Sequence, residues 1–315
     1  MGFDVAVVGA GPTGLCFASL LAEHGLRVCV IEKNAEAGLE NPLFDGREIA
    51  LTRASVSLMR QLGLWQHIPA EEISFLRDAH VFNGASLFAM EITSQLGQSG
   101  ELGYLVANHH IRKAAYLVAK SQSNVTLLTE LQVQSVDLHE AGVVLVLTGD
   151  ERLTCRLLVA ADSRFSDTRR MMGISTTMHD FGKTMMVCTM SHEKPHHYVA
   201  WEWFDYGQTL ALLPMNGQQS SVVITLPAQE IAKLMTMPEN VFEREVMVRF
   251  QHRLGNMRLT STRHAYPLVT TYPKGFVAKR FALIGDAAVG MHPVTAHGFN
   301  FGLQRYCFSR SACTL

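Results

Sequence analysis

Charge is scarce in this chain: Lys, Arg, Asp and Glu make up 17% of its 315 residues, against about 25% in an average soluble protein. So little charge implies a large buried core, or a face that meets something apolar. The net charge of −1 gives no pull toward a polyanion such as nucleic acid. No apolar run reaches the ~18 residues that cross a bilayer, and no basic segment precedes the apolar start, so neither a membrane span nor a signal peptide is expected. Ala6 stands where a myristoylation signal needs Ser or Thr. Cys16, Cys29, Cys155, Cys188, Cys307 and Cys313 form no C-x-x-C pair, which leaves buried free thiols in a reducing, cytoplasmic setting as the expectation. Internal repeats and low-complexity linkers are absent too. The length suits two domains or one large one.

What is present begins with a βαβ unit. Residues 3–8 read as a buried strand, 12–24 as an apolar-periodic helix and 27–31 as a second strand ending at Glu32. Helical patterns follow at 53–64 and 111–120. A strand pair at 131–138 and 143–148 turns at Ala141 and Gly142, and 156–161 is another buried strand. Beyond Gly182 the texture becomes a run of strands, at 185–190, 198–204, 209–214 and 221–226, with helices at 228–235 and 239–254. The segment 280–284 then returns to a buried strand. This order predicts a nucleotide-binding α/β domain interrupted by a β-rich one, with the last strand rejoining the first domain.

Two glycine clusters carry the chemistry. Gly9, Gly11 and Gly14 form a G-x-G-x-x-G between a strand and a helix, with Pro12 at the helix start. The first glycine permits the tight turn, the second admits a pyrophosphate, and the third lets helix and strand approach. The helix start offers unpaired N–H groups and partial positive charge. Glu32 lies eighteen residues after Gly14, where a carboxylate can accept from adenosine ribose hydroxyls. The competing reading is a glycine-rich turn beside a surface acid. Far along the chain, a strand runs into Gly285 and Asp286, and Gly298 and Gly302 allow backbone to lie flat against a ring. No second G-x-G-x-x-G is present for a separate nicotinamide site.

Five segments together carry a resemblance: VAVVGAGPTGL, GREIALTRASVSLMRQLGLW, NHHIRKAAY, LLVAADSRFSDTRR and RFALIGDAAVGMHPVTAHGFNFGLQ. The chain resembles the group A FAD-dependent aromatic hydroxylases of the para-hydroxybenzoate hydroxylase fold, and among them the ubiquinone-biosynthesis hydroxylases. The resemblance implies a Rossmann-like FAD-binding domain of the GR2 type with an inserted β-rich substrate domain. The implied boundaries are 1–181 for the first part of the FAD domain (with substrate-domain strands near 80–108), 182–272 for the β-rich domain and 273–304 for the return segment. Glu32 would bind the adenosine ribose. Arg47 and Arg112 would contact FAD along its pyrophosphate and ribityl chain, and Val133 would meet adenine through its backbone. Asp162 matches the acid of an Asp-Gly motif, with Ser163 in place of the glycine. Gly285 and Asp286 would hold the ribityl chain, and Pro293 would lie by the flavin ring. Gly298, Phe299 and Asn300 would open a helix toward the flavin N1/C2=O edge, with His297 where relatives often carry Gln.

The implied activity is hydroxylation of a polyprenylated phenol or quinol through a C4a-hydroperoxyflavin, with NAD(P)H and molecular oxygen as co-substrates and FAD as cofactor. A prenyl tail implies contact with the inner-membrane surface, although no amphipathic anchor is evident. Few side chains need be catalytic. His292 and His297 are the candidates for tuning proton transfer, against a plain reading as loop histidines bonded to backbone. A flavin-dependent isoprenoid reductase and an inactive flavoprotein fragment are the alternatives. The latter arises because residues 305–315 show no helical stripe and match nothing in the family, which suggests a disrupted reading frame near Arg305.

His192, Glu193 and His196 fit the zinc motif H-E-x-x-H, but that motif needs a helix and Pro195 breaks one, so no metal is expected. Trp201 and Trp203 share one face of strand sequence, with Tyr198 and Phe204 on the other. Sheet core is the expectation for these rings, ahead of an aromatic pocket.

Overall fold

The computed structural model describes residues 2–84, 86, 88–94, 100–291, 298–300 and 302–303. The chain opens with β1 (Gly2–Val8), whose last four residues VAVV are buried, α1 (Pro12–Glu23) and β2 (Val28–Ile31). Pro12 takes the first helical position, where its missing N–H costs nothing. After the short α2 (Ala37–Glu40) and β3 (Glu48–Thr52), the Thr52 hydroxyl caps α3 (Arg53–Gln61) by accepting from the Ser55 amide at 3.2 Å. Next come β4 (Ile73–Leu76), β5 (Asp78–Asn83), β6 (Ala89–Ile92), β7 (Gly103–Ala107) and α4 (Asn108–Ser121). They lead to β8 (Val125–Leu128), β9 (Val133–Leu138), β10 (Val143–Leu147), β11 (Arg152–Ala160) and α5 (Asp167–Met171). The β-rich stretch comprises β12 (Thr176–His192), β13 (Val199–Asp205), β14 (Gln208–Met215) and β15 (Gln219–Pro227), then α6 (Ala228–Thr236), α7 (Glu239–Arg249), β16 (Met257–Leu259) and β17 (His264–Pro273). Finally β18 (Val277–Ala278), β19 (Phe281–Leu283) and the single turn α8 (Gly285–Ala288) return to the first domain.

Three sheets result. In the first, β8, β2, β1, β11 and β19 are parallel neighbours, while the β9–β10 hairpin and β18 attach antiparallel. One face carries a core with α1, α3 and α4, and the other a core with the hairpin. Because β11 lies between β1 and β19, the Gly9 turn and the Gly285 turn emerge side by side at the carboxyl ends of the strands, where open α/β sheets bind ligands. The second sheet runs β16-β12-β15-β14-β13-β5-β6, with β17 also on β12. A small third sheet joins β3, β7 and β4. The strands expected near 80–108 therefore divide: β5 and β6 join the large sheet, and β7 the small one.

Alternation assigns the two faces of the large sheet. Phe82, Trp203, Leu210, Ile224 and Met186 lie in one cross-strand row and belong to the core beneath α6 and α7. Trp203 is thus sheet core, as expected, with its Nε1 donating to Gly84 O at 2.9 Å and the Arg253 guanidinium 4.5 Å from its ring centroid. The helix expected at 239–254 ends at Arg249. Strand β17 contains Pro267 and Pro273, which hid it in the sequence. Its strand partner among the described residues is β12, with one further bridge from Thr271 to Gly290, and a strand at a sheet margin tolerates a missing N–H.

Cys16, Cys29, Cys155 and Cys188 are free and buried, and burial pushes the Cys16 thiol up to about 12. Cys307 and Cys313 lie outside the described residues. The H-E-x-x-H segment is a strand end and turn rather than a helix. His192 Nε2 meets Ser220 Oγ at 3.0 Å, and His196 Nε2 meets Met215 O at 2.8 Å. No helix among the described residues is long and apolar enough to cross a membrane.

Candidate functional site

The glycine turn separates two kinds of requirement. Gly9 has φ +105°, and a Cβ there would stand 2.5 Å from Ala161 O. At Gly14 a Cβ would stand 2.2 Å from Gly9 O. Both positions are closed by the fold itself. Gly11 is different: a Cβ there would meet nothing within 4 Å, because the space before the α1 N-terminus is open. That opening, at the positive end of a twelve-residue helix, suits an anionic phosphate.

Glu32 locks the turn and keeps an oxygen edge in the cleft. Its Oε2 accepts from the Ala10 amide at 2.9 Å and its Oε1 from the Asn34 amide at 3.0 Å. Gly9, Glu32, Val133, Asp162 and Thr168 line one cleft, so Glu32 and Val133, expected at the adenosine half, share a wall with Gly9 and Asp162. Asp162 is engaged by its own loop. It accepts from Ser166 Oγ and, at 2.9 Å, from Thr168 Oγ1. Ser163, where a glycine was anticipated, sits at φ +107°, a conformation that favours glycine.

The second cluster meets the first at Thr13. A Cβ on Gly285 (φ +55°) would lie 3.0 Å from Thr13 Cγ2, and one on Gly302 would lie 3.0 Å from Thr13 Oγ1. A Cβ on Gly298 would lie 3.4 Å from Asp286 Oδ1. Burial raises the Asp286 carboxyl, opposed by the charges of Arg164 and Arg47. Its ion-pair partner among the described residues is Arg164, at 3.8 Å. The Asn300 side chain is committed to β3: its Nδ2 donates to Ala50 O at 2.7 Å, and its Oδ1 accepts from the Thr52 amide at 3.1 Å. Phe299 packs against the α/β core. Between these parts lies Arg47, paired with Asp45 Oδ2 at 2.6 Å and 5.2 Å from the Tyr266 ring centroid. Burial opposes the Arg47 charge, but Asp45 outweighs it and holds the guanidinium above its usual range. Arg112, on α4, is near enough for its charge to bear on His109 and Tyr266. His292, Pro293 and His297 lie outside the described residues.

Several residues of this site gave no clear sequence signal. Arg169 is buried, its pKa lowered by that burial, and donates to Arg164 O and Ala287 O, both at 3.1 Å. Arg164 also donates to Val269 O at 3.0 Å. The two arginines stitch the Asp162 loop to α8 and β17. Both fall in the segment LLVAADSRFSDTRR, so the segment was visible but their partners were not. Tyr266, donating to Asp45 O at 2.7 Å, had no signal at all.

Glu48 had none either. Its Oε1 is buried with no partner among the described residues, and burial raises the carboxyl to about 8. Among the described residues no group of His, Cys, Asp and Glu could hold a metal.

The donor set suits an extended dinucleotide flavin: an acid in the cleft at Glu32, an open helix start at Gly11, a buried acid beside Gly298, and a cation at Arg47. Comparison with known proteins agrees. The family model described as FAD binding domain matches residues 2–306. The chain is 48% identical over 305 residues to the ubiquinone hydroxylase UbiM of Neisseria meningitidis, covering 96% of this chain and 66% of that protein. It is 34% identical over 301 residues to UbiL of Rhodospirillum rubrum, covering 96% and 70%. The 3-demethoxyubiquinol 3-hydroxylase of Escherichia coli is 28% identical over 307 residues, covering 96% and 77%. The chain thus spans roughly two thirds to three quarters of these relatives' length.

Among solved structures, Pseudomonas aeruginosa PqsL in complex with 2-aminobenzoylacetate superposes with a TM-score of 0.81 at 20% identity, covering 96% of this chain and 83% of that one. The p-nitrophenol 4-monooxygenase PnpA of Pseudomonas putida gives 0.75 at 19% identity, covering 96% and 77%. These two share the fold. The chain belongs to the FAD-binding-domain family of flavin-dependent monooxygenases, alongside the ubiquinone hydroxylases.

Proposed function

We propose that this protein hydroxylates the ring of a polyprenylated phenol or quinol on the route to ubiquinone, using FAD, a reduced nicotinamide and oxygen. The observation that carries the reading is the meeting of two glycine segments, nearly three hundred residues apart in sequence, on Thr13. It is supported by relatives whose names describe ubiquinone hydroxylation. Bound flavin would supply the electron transfer and the activated oxygen.

The chain's own residues orient and shield. Glu32 would receive the ribose hydroxyls, and the α1 N-terminus would neutralise the pyrophosphate. Arg47 and Arg112 would flank the chain of the cofactor, and Asp286 would accept from its sugar alcohol. The helical residues from Gly298 to Asn300 would offer N–H groups to the ring edge that carries negative charge in a reduced flavin. The face of the large sheet opposite its helices closes the site from the other side and excludes water. An exposed apolar strip at the start of β6, with Phe88 just before the strand 86% and Met90 within it 61% accessible, suits contact with the lipid surface that holds a prenylated substrate.

The test is direct. Purified protein should be yellow, oxidise NAD(P)H faster when a short-chain prenylphenol is added, and yield that phenol with one added oxygen atom. Complementing cells blocked at individual ring-hydroxylation steps should then identify the carbon. Colourless protein that takes up no FAD, or flavoprotein indifferent to every phenol, would reject the reading.

A further inference from the structure

On the face of the large sheet turned away from α6 and α7, Glu202 is the one carboxylate that β5, β6, β13, β14 and β15 present. Strand pairing sets Val81, Glu202, Ala211, Val223, Val187 and His264 in a single cross-strand row. Trp201 and Trp203, the neighbours of Glu202 in sequence, point into the helix-covered core, so the Glu202 carboxyl projects from the other face. That face looks toward the cofactor loop. At the far end of the same row a Cβ on Gly46, the residue before Arg47, would lie 3.0 Å from Val187 Cγ2 and 2.7 Å from His264 Cδ2. One row over, Tyr266 stacks under Arg47.

On this face, β5, β6, β13, β14 and β15 present no other titratable side chain. Lys183 on β12, and His264 and Tyr266 on β17, are the nearest in the sheet. Across the gap, Glu48 stands on the face of the small sheet away from its core, because Ile49 and Leu51 fill that core. None of these charges contributes to the state of Glu202. Burial alone raises its carboxyl to about 7.

A lone half-buried carboxyl set among Val81, Ala211 and Val223 is costly to keep unless something with a hydrogen to share comes to it. Resting on the phenolic substrate proposed above, we infer that Glu202 receives the ring hydroxyl of that substrate and takes its proton. The O–H bond breaks, its electron pair stays on the phenol oxygen, and the proton resides on Glu202 until product leaves and solvent reclaims it. The ring carbons beside a phenolate oxygen are richer in electrons, so this transfer favours attack on an electrophilic oxygen. A general base acts best with its pKa near working pH.

The experiment uses FAD-loaded protein and 2-prenylphenol, with its methyl ether as control, followed by ultraviolet difference spectra between pH 6 and pH 8. The parent should bind the phenol roughly 10-fold more tightly at pH 8 than at pH 6, with a phenolate band, since one proton is linked to binding. The ether should bind equally at both. Glu202→Gln should lose the band and the pH dependence and about 100-fold in kcat/KM, the lower end for a general base, while Glu202→Asp keeps the pH dependence. A phenolate band and pH dependence that persist in Glu202→Gln would overturn the inference, as would an ether that follows the same pH curve in the parent. A parent that never turns over phenols would instead reject the function itself.

Discussion

Ser163 is held at φ +107° by the Asp162 loop, where a side chain strains the backbone by about 1–3 kcal/mol. Glycine relieves that strain but adds about 0.5–1 kcal/mol of unfolded-state entropy. Ser163→Gly should therefore stabilise the protein by about 1 kcal/mol in urea titrations, with FAD affinity held or improved. Glu48 makes a pH-dependent contribution of the opposite kind. Its folded-state pKa, about 8, stands above the unfolded value near 4.5. Below the unfolded value both states are protonated and no cost arises. Between the two, the unfolded chain ionises while the folded one stays neutral, so stability falls as pH rises, and the full cost is present above pH 8. Glu48→Gln should leave Tm unchanged at pH 4 and raise it progressively from pH 5 to pH 8.5, and calorimetry across that range checks it. Neither effect could be read along the chain, since a serine and a glutamate acquire these properties only from their surroundings.

At the scale of an element, the start of α1 was legible almost completely. Strand, glycine spacing, Pro12 and the acid at Glu32 announce it because local sterics and the helix dipole act over a few residues. What the sequence could not separate is which glycines serve the fold and which the ligand. Gly14→Ala places a methyl 2.2 Å from Gly9 O and should cost folding itself, seen as insoluble or low-melting protein. At Gly11 a Cβ meets nothing within 4 Å and the backbone is extended at φ −68°, so the apoprotein of Gly11→Asp should melt normally. Its carboxylate would face the pyrophosphate, and FAD affinity by fluorescence quenching should drop at least 100-fold. The helical residues near Gly298 were also anticipated, but not that Asn300 would spend its side chain bridging Ala50 and Thr52. Its bonds to β3 span about 250 residues of sequence.

At the scale of the whole molecule, the large sheet and the α/β domain are joined by a polar seam. Tyr266 donates to Asp45 O, Asp45 binds Arg47 and Asn108, and Arg164 ties Val269 to Asp286. Tyr266→Phe removes one bond from this seam and should cost about 1 kcal/mol. It should also weaken FAD binding, because Arg47 loses the ring's hydroxyl anchor though not its face. Paired urea and FAD titrations check this, and an unchanged FAD affinity would show that the seam does not position Arg47.

The sequence by itself determined the Rossmann-like start, the returning strand at 280–284 and the two glycine clusters, because turns, helix starts and buried strands follow from local backbone sterics and short-range hydrophobic periodicity. Only the tertiary structure decided that β11 would sit between β1 and β19 and so deliver both clusters to Thr13. It alone placed Arg164, Arg169 and Tyr266 in the seam, and it alone turned Glu202 toward the cofactor side. Those outcomes depend on pairing between strands far apart in the chain, where loop closure and the burial of whole faces, not neighbouring residues, set which side chains meet.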